Sequence, residues 1–445
     1  MPSFRIAYAL LPLCLAATVS YAQQPAPLTQ SVEAQLPSLI ETYKDLHRHP
    51  ELSTHEERTA ATVAADLRKL GYTVTEHIGR YEDGSPAFGV VAILENGPGP
   101  RLLMRTELDA LPVEEKTGVD YASTVRSTNA QGQNVGVMHA CGHDIHMTAL
   151  LGAAKEMVDL KSQWHGTLML IGQPAEEAVG GAKAMLADRL YERFGRPDYI
   201  LAKHDSNDVP AGSVAIKGGP LLAGVTSIDM TIRGIGGHGS APQVGKDPIV
   251  LAAEFVLVAQ TIVSRQIDPQ QPAVLTVGMI HGGTKNNIIP DQVTLGLTLR
   301  TYSPAVQDQI LAAVRRTANG LAATYGIPAD RMPTVTTSDT SPPTYNDPAF
   351  AERLRSVATA ALGKDHVLDA TAIMASEDVG FFSLDGKIPA VMYWLGAADP
   401  AKLAQSRVTG VPLPGPHSPL FAPAYEPTIR TGVIALTAMA LDILK

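Results

Sequence analysis

The run Val137-Met138-His139-Ala140-Cys141-Gly142-His143-Asp144-Ile145-His146 constrains this chain more than any other stretch of it. It holds three histidines, a cysteine and an aspartate. Imidazole, thiolate and carboxylate are the groups that bind divalent transition metals. Any one of these histidines alone reads as a buried or turn residue; the cluster reads as a metal site. A second segment strengthens that reading: Gln173-Pro174-Ala175-Glu176-Glu177, a glutamate pair after the apolar run 167–171. One carboxylate of such a pair can hold a metal while its neighbour handles the protons of a water that the metal activates. Cys141 and His143 precede a helical pattern and the glutamates follow a strand pattern, so these groups sit at loop ends. Loops at the carboxyl ends of parallel strands share one crevice, which makes a parallel α/β sheet the natural host.

The rest of the chain supplies such a sheet. Apolar residues recur at helical spacing over 31–48 and again over 56–70, where Gly71 provides a C-terminal stop. Strand-like runs follow at 89–94 and 101–105, then an Ala/Leu-rich helical stretch at 148–160 and the strand 167–171. This alternation predicts an α/β fold, a mostly parallel mixed sheet flanked by helices. The pattern changes near Ala223. A half-buried strand at 225–233, a helical pattern at 248–266, strands at 273–280 and 292–302, and a helical stretch at 304–325 suit a compact insert. One more strand is expected at 334–337. Beyond the turn-rich 338–347 come a helix, a strand at 390–395 and a closing helix at 428–444. The expected organisation is a catalytic domain in two parts, 23–222 and 337–445, interrupted by an inserted domain at 223–336. No internal repeat or low-complexity tract is present.

At 445 residues the chain exceeds one typical core, in line with two domains. Its 45% hydrophobic and 18% charged residues are the balance of a globular protein and not a disordered one. The formal net charge of -9 gives no basic footprint and argues against a nucleic-acid partner. Residues 1–22 read as a secretory signal: Arg5, a mostly apolar stretch 6–19, and the small-x-small site Ser20-Tyr21-Ala22 before Gln23. That stretch is short for a membrane span, and no later segment is expected to be one. An uncleaved anchor is the alternative reading of the same residues. The expectation is a periplasmic or secreted protein. Cys14 falls inside the signal, so the mature chain keeps Cys141 alone and forms no internal disulfide. A lone thiol in an oxidising compartment is a liability unless something occupies it, and a metal is the obvious occupant.

Two further histidines are candidates. His204 follows the apolar pair Ile200-Leu201, and His417 sits in the Pro/Gly loop 411–419. Each alone reads as a surface or capping residue. The spacing is too wide for a zinc finger, and no second cysteine exists to close a structural site.

Several segments together resemble those of one known group. They are Arg105-Thr106-Glu107-Leu108-Asp109-Ala110-Leu111-Pro112, the run from His139 to Asp144, residues 173–177, Gly236-Gly237-His238, Asn287-Ile288-Ile289-Pro290, Ser376-Glu377-Asp378 and His417-Ser418-Pro419. The group is the metal-dependent amidohydrolases that include hippurate hydrolases, N-acyl-amino-acid amidohydrolases and plant auxin-conjugate hydrolases. It lies within the aminoacylase/carboxypeptidase metallopeptidase superfamily. The resemblance runs from about residue 35 to the C-terminus, with the motifs in the same order.

The resemblance implies a di-metal exopeptidase-like catalytic domain and an inserted α+β sandwich that serves as lid and dimerisation domain. It implies that Cys141, His143, Glu177, His204 and His417 hold two divalent metal ions per chain, with Glu176 as general base. Asp109 matches the carboxylate that orients a ligand histidine and fixes its tautomer. His238 matches the histidine that the insert lends to the partner subunit's active site, where it stabilises the oxyanion. Asn287 and Arg300 match lid positions that hold the substrate's free carboxylate, which an arginine can grip with a bidentate pair. The mixed Cys, His and Glu donors suit zinc, manganese, cobalt or nickel.

Three departures from the group's usual pattern stand out. Glu107 replaces a common aspartate, the segment just after His204 lacks the hydrophobic residue and the tryptophan or proline often found there, and Gln243 replaces a common second histidine. None removes a ligand or the base, so they bear on substrate more than on reaction. The expected activity is hydrolysis of the amide bond of N-acyl amino acids, small-molecule substrates, by a homodimer. The alternatives are a carboxypeptidase or dipeptidase with the same centre, and a silent binder. Loss of Glu176 or of a ligand would mark the binder, and none is lost.

Overall fold

The computed structural model describes residues 27–445. The expected signal at 1–22 lies outside the described residues. An eight-stranded mixed sheet runs in the order Thr73–Arg80, Pro86–Asn96, Gly166–Gln173, Arg101–Glu107, Tyr199–Pro210, Ala390–Ala398, Val214–Ile216, Val367–Asp369. The four strands Gly166–Gln173, Arg101–Glu107, Tyr199–Pro210 and Ala390–Ala398 pair in parallel. Pro86–Asn96 pairs antiparallel with both Gly166–Gln173 and the edge strand Thr73–Arg80.

Both faces of this sheet are covered, and the side chains divide between them with the period of two that a pleated strand imposes. Leu102, Met104, Leu168, Leu170, Val391 and Tyr393 join one apolar cluster with the helices Pro27–Arg48, His143–Asp159 and Tyr425–Ile443. Leu103, Met169, Ile171, Met392 and Trp394 face a second cluster with Met185, Leu190 and Phe382. Continuous apolar runs in the central strands follow from burial on both sides.

The segment from Gly224 to Ser341 carries a sheet and a core of its own. Its four antiparallel strands run in the order Ala273–Gly282, Gln292–Thr301, Gly224–Arg233, Thr334–Ser341. Helices Pro248–Gln266 and Pro304–Thr324 begin at proline, with Asp247 and Ser303 accepting from Ile249 and Val306 N–H groups. Phe255, Ile262, Ile310 and Val314 pack on Ile228, Met230, Leu295 and Leu297. Each such fully buried aliphatic or aromatic side chain contributes about 1.5–3 kcal/mol.

Three sequence expectations need correction. The helix expected at 148–160 starts at His143, because Gly142 takes a left-handed φ of +78° and lets the turn begin there. The strand expected to stop at 337 runs on to Ser341, since its pairing with Gly224–Arg233 extends through the Val225 register. Helix Pro248–Gln266, against the expectation of none, is long and apolar enough to cross a membrane. Leu251, Ala252, Phe255, Ala259 and Ile262 are buried in the core of the inserted segment, whereas Ile249, Val250 and Leu257 on the same helix are exposed.

Candidate metal centre

The crevice forms where the parallel strands end. Strand Arg101–Glu107 runs into Asp109, and strand Gly166–Gln173 runs into Glu176 and Glu177. His204 lies on Tyr199–Pro210, while Cys141 and Gly142 lead into helix His143–Asp159. A side chain at Gly142 would place its Cβ 2.5 Å from an Asp205 carboxylate oxygen, so only glycine fits between the two ligand positions. The loop before helix Tyr425–Ile443 brings His417 in, held by its N–H to the Ala140 carbonyl at 2.7 Å.

The five expected ligands converge. Cys141 Sγ lies 3.4 Å from His204 Nε2, and His417 Nε2 lies 3.4 Å from Glu177 Oε2. His143 Nε2 is 3.7 Å from Glu176 and 3.9 Å from Glu177. Donor atoms of Cys141, His143 and His204 lie within 4.8 Å of one another, as do those of Cys141, Glu177 and His417. The two triads share Cys141.

Hydrogen bonds set the histidine tautomers. His143 Nδ1 donates to the Asp109 carbonyl at 2.8 Å, and His204 Nδ1 donates to the Asp205 carbonyl at 2.8 Å. Each Nε2 therefore keeps a lone pair for a metal. The Asp109 carboxylate lies 3.5 Å from His143 Nδ1 and accepts from Ser53 Oγ at 2.7 Å and Glu177 N at 3.0 Å. It thus supports one ligand ring and the backbone of another.

These residues fit a cation. His143 Nε2 and Glu177 Oε1 are buried with no hydrogen-bond partner among the described residues, a costly state unless something binds them. Burial, with Glu377, Glu177 and Asp378 close by, pushes the Glu176 carboxyl well above the usual carboxylate range. Burial raises Glu177 too, against the pull of His143. Burial together with Glu177 and Glu176 raises the Cys141 thiol. Burial opposes charge on His143, but Asp109 and Glu107 outweigh it and lift the ring to about 10. Burial first, and the clustered carboxylates second, favour protons on these groups, and a divalent ion would displace them on binding.

His238, Asn287 and Arg300 lie apart from this cluster. Strand Gly237–His238 pairs with Ile288–Ile289 in the inserted segment, and Gly239 N donates to the Asn287 carbonyl at 2.8 Å. His238 and Asn287 are therefore neighbours, and both are exposed. Ser240 N donates to His238 Nδ1, which leaves Nε2 as the ring's donor. Arg300 is half-buried on strand Gln292–Thr301, giving hydrogen bonds to the Met374 carbonyl at 3.0 Å and Ser376 Oγ at 3.4 Å.

Comparison with known proteins agrees with this geometry. The family model described as peptidase family M20/M25/M40 matches residues 103–408. The chain belongs to that family. N-acetyl-L-cysteine deacetylase of Bacillus subtilis (strain 168) is 35% identical over 345 residues, 77% of each chain. Thermostable carboxypeptidase 2 of Saccharolobus solfataricus is 33% identical over 405 residues, 91% of this chain and 94% of the other. A solved Bacillus subtilis structure, described as a dinuclear metal binding peptidase from the M20 family, superposes with a TM-score of 0.72 at 27% identity. It covers 92% of this chain and 99% of its own. This M20 family member is a metal-dependent amide hydrolase.

Sequence reasoning assigned no role to a layer of residues beneath the family's ligands. Arg105, fully buried, donates to Gln173 Oε1 at 2.9 Å, to Glu377 at 2.6 Å, to Asp378 at 3.2 Å and to Glu107. Glu107 also binds His146 Nδ1 at 2.9 Å, while His146 Nε2 accepts from Asp205 N at 2.8 Å. Both nitrogens of His146 are thus used, which takes it out of the donor set. Burial lowers His139 to about 4 and keeps its ring neutral, and neither of its buried nitrogens has a hydrogen-bond partner among the described residues. Arg105, Glu377 and Asp378 stood in the motifs that carried the resemblance, but only the fold brings them together.

Proposed function

We infer that the enzyme hydrolyses the amide bond of N-acyl amino acids, with Glu176 as general base and two metal ions held by Cys141, His143, Glu177, His204 and His417. One observation carries this reading: Glu176 lies against the ligand set, 3.7 Å from His143 Nε2, with a carboxyl whose proton affinity is raised. Two donor triads sharing Cys141 support a pair of ions, and zinc, manganese, cobalt and nickel all suit the donors. When bound, such ions lower the pKa of water and polarise the scissile carbonyl. Glu176 takes the proton of the attacking water on a carboxylate oxygen and passes it to the leaving nitrogen. Asp109 keeps the His143 ring in the ligand tautomer throughout.

The lid completes the site in this proposal from a second copy of the chain. Segment 223–336 acts as lid and dimerisation domain, the catalytic domain being 23–222 with 337–445. Strand Ala273–Gly282 is an unpaired sheet edge carrying exposed Met279 and Ile280, and helix Pro248–Gln266 beside it exposes Leu257. An open apolar edge of this kind favours antiparallel pairing with an identical strand. His238, through Nε2–H, then serves the oxyanion of the partner's site, and Asn287 with Arg300 holds the substrate carboxylate.

Rates on N-acyl amino acids, their methyl esters and dipeptides, with defined metals added, test the reading. The free acids should exceed their esters in kcat/KM by about a hundredfold, the scale of a lost charge-assisted pair. Equal rates would overturn carboxylate recognition. Faster cleavage of dipeptides would favour a carboxypeptidase or dipeptidase, the reading that the Saccharolobus solfataricus relative supports. The proposal extends to export: cleavage after Ala22 places the enzyme in the periplasm or outside the cell. An intact Met1 by mass spectrometry of protein from its native host would sink that part.

A further inference from the structure

We propose that Glu56 is a positioning residue for the catalytic turn: its carboxylate holds the Ala175 N–H and so fixes where Glu176 stands. The inference rests on the assignment of Glu176 as base made above.

Glu56 occupies the cap position of helix Glu57–Lys69, where an acidic side chain ordinarily accepts from the first N–H groups of its own helix. It makes no such bond. Its Oε1 instead accepts from Thr54 N at 2.7 Å and from Ala175 N at 2.8 Å, the latter across 119 residues of sequence. The residue is fully buried. Burial, with Asp109 close by, pushes its carboxyl up to about 8 against the pull of the N–H groups. Oε2 has no partner among the described residues, so the two bonds on Oε1 are what offset the cost of placing this side chain inside. The helix start is served by another residue: Glu51 accepts from Arg58 N and from Thr59 N and Oγ1.

The turn needs a brace. Ala175 has a φ of +46°, in the left-handed region that a Cβ disfavours. Thr54, the other group on Glu56 Oε1, has a φ of +70°. Two strained residues thus meet at one carboxylate oxygen. Such strain persists only where the surroundings over-determine it. Behind the turn Gly181 N donates to the Ala175 carbonyl at 3.1 Å, and a Cβ on Gly181 would lie 1.6 Å from the Pro174 carbonyl oxygen. Freed from Glu56, Ala175 relaxes toward ordinary φ and the next side chain, Glu176, swings with it. Glu177 has its own tether, its N–H on Asp109. The metals therefore stay while the base moves.

Four variants separate this role from a structural one: Glu56→Ala, Glu56→Asp, Glu56→Gln and Thr59→Val. Aspartate keeps the carboxyl group and caps a helix well, but it is a methylene too short to reach Ala175; glutamine keeps an oxygen at full reach. On an N-acyl amino acid that the wild type cleaves, kcat per metal-loaded site should fall about tenfold or more in E56A and E56D, with KM nearly unchanged. E56Q should stay within about threefold of wild type, and all should keep wild-type metal content. Thr59→Val loosens the same helix end without reaching the turn, so it should lower the melting midpoint and leave kcat alone. Hydrogen exchange at the Ala175 amide, read without substrate, should quicken in E56A and E56D and not in E56Q. Wild-type kcat and wild-type exchange in E56D would overturn the proposal, as would E56Q falling as far as E56A. A wild-type chain inactive on every N-acyl amino acid counts against the proposed function alone, because the Ala175 exchange still decides this inference.

Discussion

The Arg105 guanidinium donates to Glu377 at 2.6 Å, joining two segments 272 residues apart on either side of the lid. Both side chains are buried, and the same guanidinium reaches Glu107 and Asp378. One cation therefore serves three carboxylates under the metal crevice. Removing it leaves buried charges unpaired, which costs far more than the pair itself is worth. Arg105→Met should lose about 3–5 kcal/mol of unfolding free energy in a urea titration. A loss below about 1 kcal/mol would mean the carboxylates find protons or other partners at little cost.

The glutamate pair makes opposite demands on metal and turnover. Glu176→Gln keeps the shape but cannot take a proton, so turnover should fall by about 10²–10⁴ while metal content stays at the wild-type level. Glu177→Gln and Cys141→Ser remove donors, and elemental analysis should show metal lost, most clearly after dialysis against a weak chelator. The reverse pattern between the two glutamates would swap their roles. Chelation of the wild type should also lower its melting midpoint, since a ligand at a hundred times its Kd adds about 2.7 kcal/mol to the folded state.

The sequence revealed donors more readily than supports, for a physical reason. Candidate donor and proton-handling groups cluster in short runs because a helix start and a strand end can each present two of them, as at Cys141-Gly142-His143 and Glu176-Glu177. Strand period and helix period likewise showed the sheet, which is why helix Pro248–Gln266 was read to its exact ends. Supports such as Glu56, Gln173 and Glu377 act across contacts of 68 to 272 residues, and no local pattern encodes those. His143 was expected ahead of a helix starting at 148 and instead begins that helix, because glycine at 142, usually a stop, here provides the left-handed start. His238 and Asn287 share a surface, and the proposed use of that surface needs a second chain that a single sequence does not describe.

Away from the crevice floor, His47 gives a pH-dependent contribution. Its ring lies between Asp144, 2.6 Å from Nδ1, and Glu115, 3.2 Å from Nε2. Burial opposes its charge, but the hydrogen bonds to Asp144 and Glu115 outweigh that and lift it from 6.5 to about 9. A pKa raised on folding stabilises the folded state fully below the free value and loses that contribution as pH rises through the folded one. The wild type should therefore lose roughly 3 kcal/mol between about pH 6.5 and 9.5, beyond what other groups contribute. His47→Gln keeps polar contacts without titrating, so its urea midpoint should be lower at pH 6 and flatter across that window. Parallel curves for both proteins would show that His47 is not charged in the fold.

The lid residues provide the sharpest test of assembly. His238 is exposed, its Nδ1 occupied by Ser240 N, and no hydrogen bond ties it to the ligand cluster among the described residues. If it acts on a partner's substrate, each active site draws Glu176 from one chain and His238 from the other. His238→Ala and Glu176→Gln should each be nearly inactive alone. Co-expressed at equal levels they form heterodimers in which one of the two sites is whole, giving about a quarter of wild-type activity by random pairing. Two different tags allow the heterodimer to be isolated, where about half of wild-type activity is expected. Heterodimers of confirmed composition that stay inactive would refute action across the interface. A monomer by sedimentation at assay concentration, with full activity, would remove the need for a partner and leave His238 as a turn residue held by Ser240.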